Sequence, residues 1–233
     1  KQKMIESAEL PKTAQPSIGR FVEVYDELGK NGDSVISIQM MRSISGTVDA
    51  ARQAADITET NVTVVDSDFT SRSMGMIVKE AAKAAQEGKS VQEILEIVED
   101  AKKRTTLYLT VVNLDNLIKG GRISQLMGMF SNLLNIKLFL QVINGKIEII
   151  QKGRGLKSLQ KKYDEIFEQM KSAPNGIQEI GIMHAGLSDF NQGNIARIRE
   201  LFPDVPLTIV TTSPIIMSHT GVDAMAITYL ENK

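Results

Sequence analysis

Residues 34–65 read SVISIQMMRSISGTVDAARQAADITETNVTVV. Ser34–Ile38 alternates and is β-branched, the pattern of a strand. A turn of small residues, Ser43–Thr47, leads into the alanine-rich helix Val48–Ala55, and Asn61–Val65 is again β-branched. Strand, helix and strand within about 30 residues describe a parallel βαβ unit, whose sheet carries helices on its faces. Upstream, Pro11 and Pro16 hold the chain extended, because proline restricts itself and the residue before it. A helix over Ile18–Lys30 follows, closed by Asn31-Gly32, and Lys1–Ala8 reads as the tail of an earlier helix. Downstream, Ile77, Val78, Ala81 and Ala82 mark one helical face, and Val91, Ile94, Leu95 and Val98 the next. Ser90 with Glu93 forms a capping box at the start of that second helix.

A break falls near Lys102-Lys103-Arg104, a short charge run read as solvated surface, as is Lys161-Lys162. Beyond it, Thr105–Val112 is a strand and Asn116–Lys119 a short helix ending at Gly120-Gly121. Ile136–Ile143 and Lys146–Ile150 flank Asn144-Gly145, the strongest short hairpin signal. Leu156, Leu159, Tyr163, Ile166, Phe167 and Met170 trace a long amphipathic helix. Strand Glu179–Met183, a helix around Ile195–Phe202 and strand Leu207–Thr211 complete the pattern. The expected fold is α/β in two domains, 1–103 and 104–233. The first has a parallel sheet flanked by helices; the second has a mixed sheet that includes the hairpin.

Composition narrows the function. Lys and Arg number 27 against 28 Asp and Glu, so no global field attracts the phosphates of a nucleic acid. There is no cysteine, which excludes disulfides, thiolate metal sites and a cysteine nucleophile, and suits the cytoplasm. With only two histidines, His184 and His219, a histidine-rich metal cluster is not expected either. No stretch approaches the roughly 20 apolar residues of a membrane span; Ile136–Ile143 is interrupted by Lys137 and Gln141. The eleven methionines are notable, since methionine suits adaptable apolar walls, although Met40, Met41, Met127 and Met129 are the kind more often found in a core.

Small polar residues repeatedly follow the predicted strands: Ser43, Ser45 and Thr47; Asp66 and Ser67; His184; Ser213, Ser218 and His219. Ligands of open α/β sheets bind beyond the strands' carboxyl ends, so these positions describe a hydroxyl-rich site that can donate hydrogen bonds to an oxyanion or carboxylate. For any one hydroxyl, capping a helix or turn is the commoner role. Lys119-Gly120-Gly121-Arg122 lets backbone approach a ligand while Arg122 grips a phosphate or carboxylate, or it is simply a helix C-cap with two solvated cations. For His219 the structural and functional readings stand about even. Gly88-Lys89-Ser90 is not a P-loop, because position 83 is a lysine, and no Gly-x-Ser-x-Gly elbow is present.

Pro11-Lys12-Thr13-Ala14-Gln15-Pro16-Ser17, Ser45-Gly46-Thr47, Val65-Asp66-Ser67, Leu114-Asp115-Asn116-Leu117, Lys119-Gly120-Gly121-Arg122 and Ser218-His219-Thr220-Gly221 occur in an order that resembles the DegV family over essentially the whole chain. The sequence departs from that pattern where Ala14 replaces a serine, Leu138 follows Lys137 in place of a proline, Met217 replaces a glycine, and Val222-Asp223 replace a Pro-Gly pair. The resemblance implies two α/β domains with a ligand cleft between them, and a preceding strand that this sequence lacks. It implies a long-chain fatty acid as ligand, with no other cofactor and no metal. It also implies a separate ATP-binding fatty acid kinase subunit as partner, acyl phosphate destined for phospholipid synthesis, and room for transient membrane contact. By the same resemblance Thr13 and Ser45 hold the carboxylate with His219 nearby. Arg122 and Arg154 are basic residues for the head group and the kinase, and Ser17, Gly46, Thr47, Ser67, Gly120, Gly121 and Ser218 support the site.

The physical balance suits such a ligand. Each buried methylene contributes roughly 0.8 kcal/mol, so ten offer about 8 kcal/mol as an upper bound, whereas an unpaired buried carboxylate costs several kcal/mol and needs donors. The rival expectation is a stand-alone phosphotransferase or hydrolase, related to the dihydroxyacetone kinase fold and using the same crevice. A third is a pure interaction protein.

Overall fold

The structure is a computed structural model that describes residues 11–121 and 135–233. The chain divides into two compact units. One comprises Ala14–Thr105 together with Val142–Lys146. The other comprises the described residues up to Thr13, those of Thr106–Gln141, and Ile147–Lys233. The expected helix over Lys1–Ala8 lies outside the described residues.

The first unit is built on a two-stranded parallel sheet. Strands β1 (Val35–Gln39) and β2 (Val62–Asp66) pair in register from Val35 opposite Val62 to Gln39 opposite Asp66. Helix α1 (Ile18–Gly29) precedes them, its N-terminus capped by the Ser17 hydroxyl. Helix α2 (Thr47–Ala55) connects them. Its alanines decide its place: Ala50, Ala51 and Ala54 are at most 1% exposed, and their small side chains let the helix lie close on its neighbours. Helices α3 (Ser71–Gln86) and α4 (Val91–Arg104) follow, packed on each other and burying Met76, Ile77, Val98 and Ala101.

In α4 the Ser90–Glu93 capping box forms in both directions. The hydrogen bonds from Ser90 hold the Glu93 carboxyl below the usual carboxylate range. At the other end the charge run 102–104 complements the helix dipole, but it is not a solvated face. Lys102 is largely enclosed and pairs with Asp68 at 2.7 Å and Glu99 at 3.0 Å. Arg104 is likewise enclosed, with Asp100 at 2.7 Å and Glu80 at 3.7 Å. Of the three, Lys103 is exposed. The expectation fails because α4 meets the loop after β2 and helix α3, which bring carboxylates to two of the three cations.

The second unit is a six-stranded mixed sheet in the order β5-β4-β3-β8-β6-β7. Strand β3 (Thr105–Val111) runs antiparallel to β4 (Ile136–Ile143). Strand β5 (Lys146–Arg154) completes the expected hairpin through Asn144 and Gly145, whose φ values of 49° and 69° are those of a tight hairpin turn. Between β3 and β4 comes the short helix α5 (Asp115–Lys119). Helix α6 (Leu156–Lys171) packs Leu159, Tyr163, Ile166, Phe167 and Met170 onto the sheet, as its periodicity predicts.

Strand β6 (Ile177–His184) then pairs in parallel with β7 (Leu207–Thr211) across helix α7 (Asp189–Leu201). Helix α8 (Pro214–Thr220) leads into strand β8 (Met225–Glu231), antiparallel to β6. Both α8 and β8 extend beyond the last strand expected from sequence. Strand β8 lies inside the sheet between β3 and β6, and six of its seven residues are buried. It therefore shows no alternation, and a short, wholly buried strand cannot be told from buried helix by periodicity. Helix α7 also starts six residues earlier than expected. Its first turns carry Asn191 and Asn194, polar yet buried, with side-chain amides that donate to the Gly186 and Phe190 carbonyls.

Candidate functional site

The polar residues expected beyond the strand ends fall into several local arrangements. After β1, Ser45 and Thr47 share a hydrogen bond of 2.7 Å between their hydroxyls, and the Thr47 amide donates to Ser45 Oγ at 3.3 Å. Gly46 is the N-cap of α2, so this pair stands at the helix's N-terminal end, where the dipole favours a negative charge. Asp49 in the first turn already brings one carboxylate there, paired with Arg42 at 2.9 Å and Arg52 at 3.6 Å. A Cβ on Gly46 would run into the Gln15 side-chain oxygen, so the glycine admits the Gln15 side chain over the turn.

The loop after β2 stitches itself together. Asp66 accepts from the amides of Arg42 at 3.2 Å and Asp68 at 2.9 Å. Ser67, fully buried, donates to the Phe69 carbonyl at 3.1 Å and accepts from its amide at 3.2 Å. The Ser17 hydroxyl accepts from the Arg20 amide at 3.3 Å. Ser213 caps α8, and Ser218 donates to the Ile215 carbonyl at 2.7 Å. These hydroxyls hold caps and turns, the commoner role noted from sequence.

His219 is different. It lies in the last turn of α8 rather than in a loop, and it is half-buried. Its Nε2 is 3.1 Å from Thr13 Oγ1, a hydrogen bond spanning 206 positions of sequence. Thr13, in the segment between the two prolines, is also half-buried. The Gly-Gly pair lies directly against this ring. A Cβ on Gly120 would sit 2.5 Å from His219 Nδ1 and 2.8 Å from the Asn116 carbonyl oxygen, so only glycine admits the imidazole here. Gly121 has φ of +70°, a conformation that releases the chain from α5 and that a side chain would strain. One glycine leaves room for the His219 ring and the other ends the helix, as the C-cap reading expects.

Asn116 stands in the motif Leu114-Asp115-Asn116-Leu117 and is not among the expected site residues. In the structure its side-chain amide donates to the Ser218 carbonyl at 3.1 Å. A lone asparagine in a helical stretch carries no signal for a contact 102 positions away. Arg154, the last residue of β5, is exposed and makes no ion pair among the described residues. Arg122, Met127 and Met129 lie outside the described residues. His184 ends β6 and is 8% exposed, with its carbonyl accepting from the Thr212 amide at 2.9 Å.

The first unit also holds an apolar groove of about 880 Å³. Phe21, Val24 and Leu28 of α1, the length of β1, and Val78 and Ile94 from α3 and α4 line it. Inside it the Tyr25 hydroxyl bonds Ser37 at 2.7 Å, and Gln39 donates to the same Ser37 oxygen at 2.8 Å. Burial pushes the Tyr25 hydroxyl up from its ordinary value, against the opposing pull of Ser37. None of the residues expected at the site lines this groove. Among the described residues, no group of three or more His, Asp or Glu is placed to hold a metal ion, and no helix is long and apolar enough to cross a membrane.

What the Thr13–His219 pair offers chemically is a relayed donor. A histidine carrying its proton on Nε2 donates to the threonine oxygen, which leaves the threonine hydroxyl proton to point at an anion. A donor chain of this kind suits a carboxylate, whereas the tautomer with its proton on Nδ1 accepts from the threonine instead.

The chain is similar to other proteins over nearly its whole length. It is 42% identical to a DegV domain-containing protein of Streptococcus pneumoniae serotype 4, across 97% of this chain and 80% of that one. Its structure superposes on a fatty-acid-binding DegV family protein from Thermus thermophilus with a TM-score of 0.84 and 30% identity, covering 99% of this chain and 82% of that one. It also matches the fatty acid kinase B3 protein of Streptococcus pneumoniae, solved loaded with linoleic acid, with a TM-score of 0.81 and 27% identity over 99% and 82% of the two chains. The profile of the family described as "Uncharacterised protein, DegV family" matches residues 1–232. With the order of its motifs, its α/β units and a match from end to end, the chain belongs to the DegV family.

Proposed function

We propose that this protein is a carrier: it binds a long-chain fatty acid and presents the carboxylate to a separate ATP-binding kinase subunit. The observation that carries the reading is the 3.1 Å pair of Thr13 and His219, two polar side chains from distant segments joined where glycine clears the space around the ring. The fatty acids bound by the similar Thermus and Streptococcus proteins support it. In this reading His219 donates to Thr13 and Thr13 donates to the carboxylate. Ser45 is a further donor at the N-terminus of α2, and Arg122 and Arg154 serve the exposed head group and the kinase. The acyl carboxylate oxygen attacks the terminal phosphorus of ATP held by the kinase, the bond to ADP breaks, and acyl phosphate and ADP leave. The carrier supplies the substrate and no catalytic group, works in the cytoplasm, and touches the membrane only to take up or release its cargo.

Organic extraction of the purified protein followed by mass spectrometry tests the first half. A long-chain fatty acid recovered at near one per chain is the expected result. Protein that arrives empty and takes up no palmitate overturns it. The second half is tested by incubating loaded protein with ATP, with and without the kinase subunit. Acyl phosphate formed only with the partner supports the carrier role; ADP released by the protein alone supports the rival phosphotransferase.

A further inference from the structure

Asn116 joins the two segments that enclose His219. Helix α8 ends at Thr220, so the carbonyls of its last turn have no partner further along the helix. The Asn116 side-chain amide supplies one, donating to the Ser218 carbonyl at 3.1 Å. That carbonyl belongs to the peptide that leads into His219. On its other side, the Asn116 backbone carbonyl accepts from the Gly120 amide at 2.8 Å, and Gly120 is the residue lying against the imidazole. Gly221, with φ of +80°, turns the chain away from α8 so closely past Asn116 that an added Cβ would meet Asn116 Oδ1 at 3.3 Å. One residue thus fixes the peptide before His219, the turn behind its ring, and the exit of its helix.

We infer that Asn116 is a positioning residue: by capping α8 at Ser218 it sets the His219 ring on Thr13, and through that ring it controls carboxylate binding. This rests on the carrier reading for its consequence, but not for its geometry. A residue that merely stabilised the unit would affect ligand affinity whether or not His219 were present, and would leave the ring signals alone.

The chain contains only two histidines, so its imidazole nitrogens are directly resolvable by NMR of histidine-labelled protein, with His184 as internal reference. The experiment compares wild type with Asn116→Leu, which keeps the volume and drops the donor, and with Asn116→Ala should the leucine variant not fold. The His219 ring-nitrogen resonances are expected to shift while those of His184 stay in place. Palmitate affinity is expected to fall about tenfold, the scale of one well-made hydrogen bond. In a His219→Ala background the same Asn116 change should alter affinity by less than about twofold, because the two act as one unit. Unchanged His219 resonances in folded variants, or losses that simply multiply in the double variant, overturn the assignment. Should wild-type protein take up no palmitate, the carrier reading fails, while the ring resonances still decide the role of Asn116 because they need no ligand.

Discussion

At the residue scale the chemistry turns on how little space surrounds His219. The imidazole reaches Thr13 at 3.1 Å, and Gly120 leaves it the space because it has no side chain. Replacing Thr13 with valine keeps the shape and removes the hydroxyl. We expect it to weaken fatty acid binding by roughly 10- to 150-fold, the range for a hydrogen bond to a charged group, and Thr13→Ser to recover most of the loss, as read by calorimetric titration. Gly120→Ala places a methyl group where the ring lies. It should cost about 1–3 kcal/mol in urea unfolding, as overpacking does, and lower fatty acid binding with it. The residue types at this site were legible in the sequence: Thr13, Gly120 and His219 stand in short, recognisable motifs. Asn116 stands in such a motif too, but its contact did not show, since its partner is a backbone carbonyl and any residue type offers one of those.

At the element scale, local signals and enclosure part company. The capping box of α4, the hairpin turn at Asn144-Gly145 and the apolar stripe of α6 are all written in neighbouring residues, and each forms where the sequence places it. The cations closing α4 are another matter, because their partners come from other elements. Burial works to lower the Lys102 pKa, but hydrogen bonds and charge from Asp68 and Glu99 outweigh it and leave it raised. A raised lysine contributes stability below its unfolded pKa and loses it as pH climbs through the folded one. Lys102→Met should therefore cost about 1 kcal/mol across the neutral range, as a partly exposed ion pair does. The difference from wild type should shrink above the ordinary lysine value of 10.5, measured as chemical unfolding against pH. Strand β8 is an element decided by the rest of the sheet. Ile227, at 1% exposure, is enclosed between neighbouring strands and helices; Ile227→Ala should cost about 2–5 kcal/mol, a loss that an unpaired tail segment would not show.

At the scale of the whole molecule, each unit has its own core. Met76, Ile77 and Val98 are at or near zero exposure in one, and Phe139, Tyr163, Ile182 and Ile227 in the other. A net charge of −1 supplies no long-range field, so in the carrier proposal capture of the fatty acid depends on a few placed donors and on the burial of hydrocarbon. A ligand that binds the folded chain alone stabilises it by mass action. Palmitate at about a hundred times its dissociation constant should add about 2.7 kcal/mol of stability, seen as a rise in melting temperature that grows with palmitate concentration. Thr13→Val should need proportionately more ligand for the same rise.

By itself the sequence determined the α/β class, most helices and strands, and the family, because caps, turn residues and periodic apolar faces act over a few positions and the motifs keep their order along the whole chain. Tertiary structure alone decided which strands are central, that α8 carries His219, and that Lys102 and Arg104 are enclosed. It also decided that Thr13 and His219, 206 positions apart, share a hydrogen bond. The physical reason is the same in each case. A strand buried on both faces, a cation facing another helix, and a hydroxyl meeting an imidazole all depend on partners brought in by the fold, and nothing in their own neighbours along the chain marks those partners.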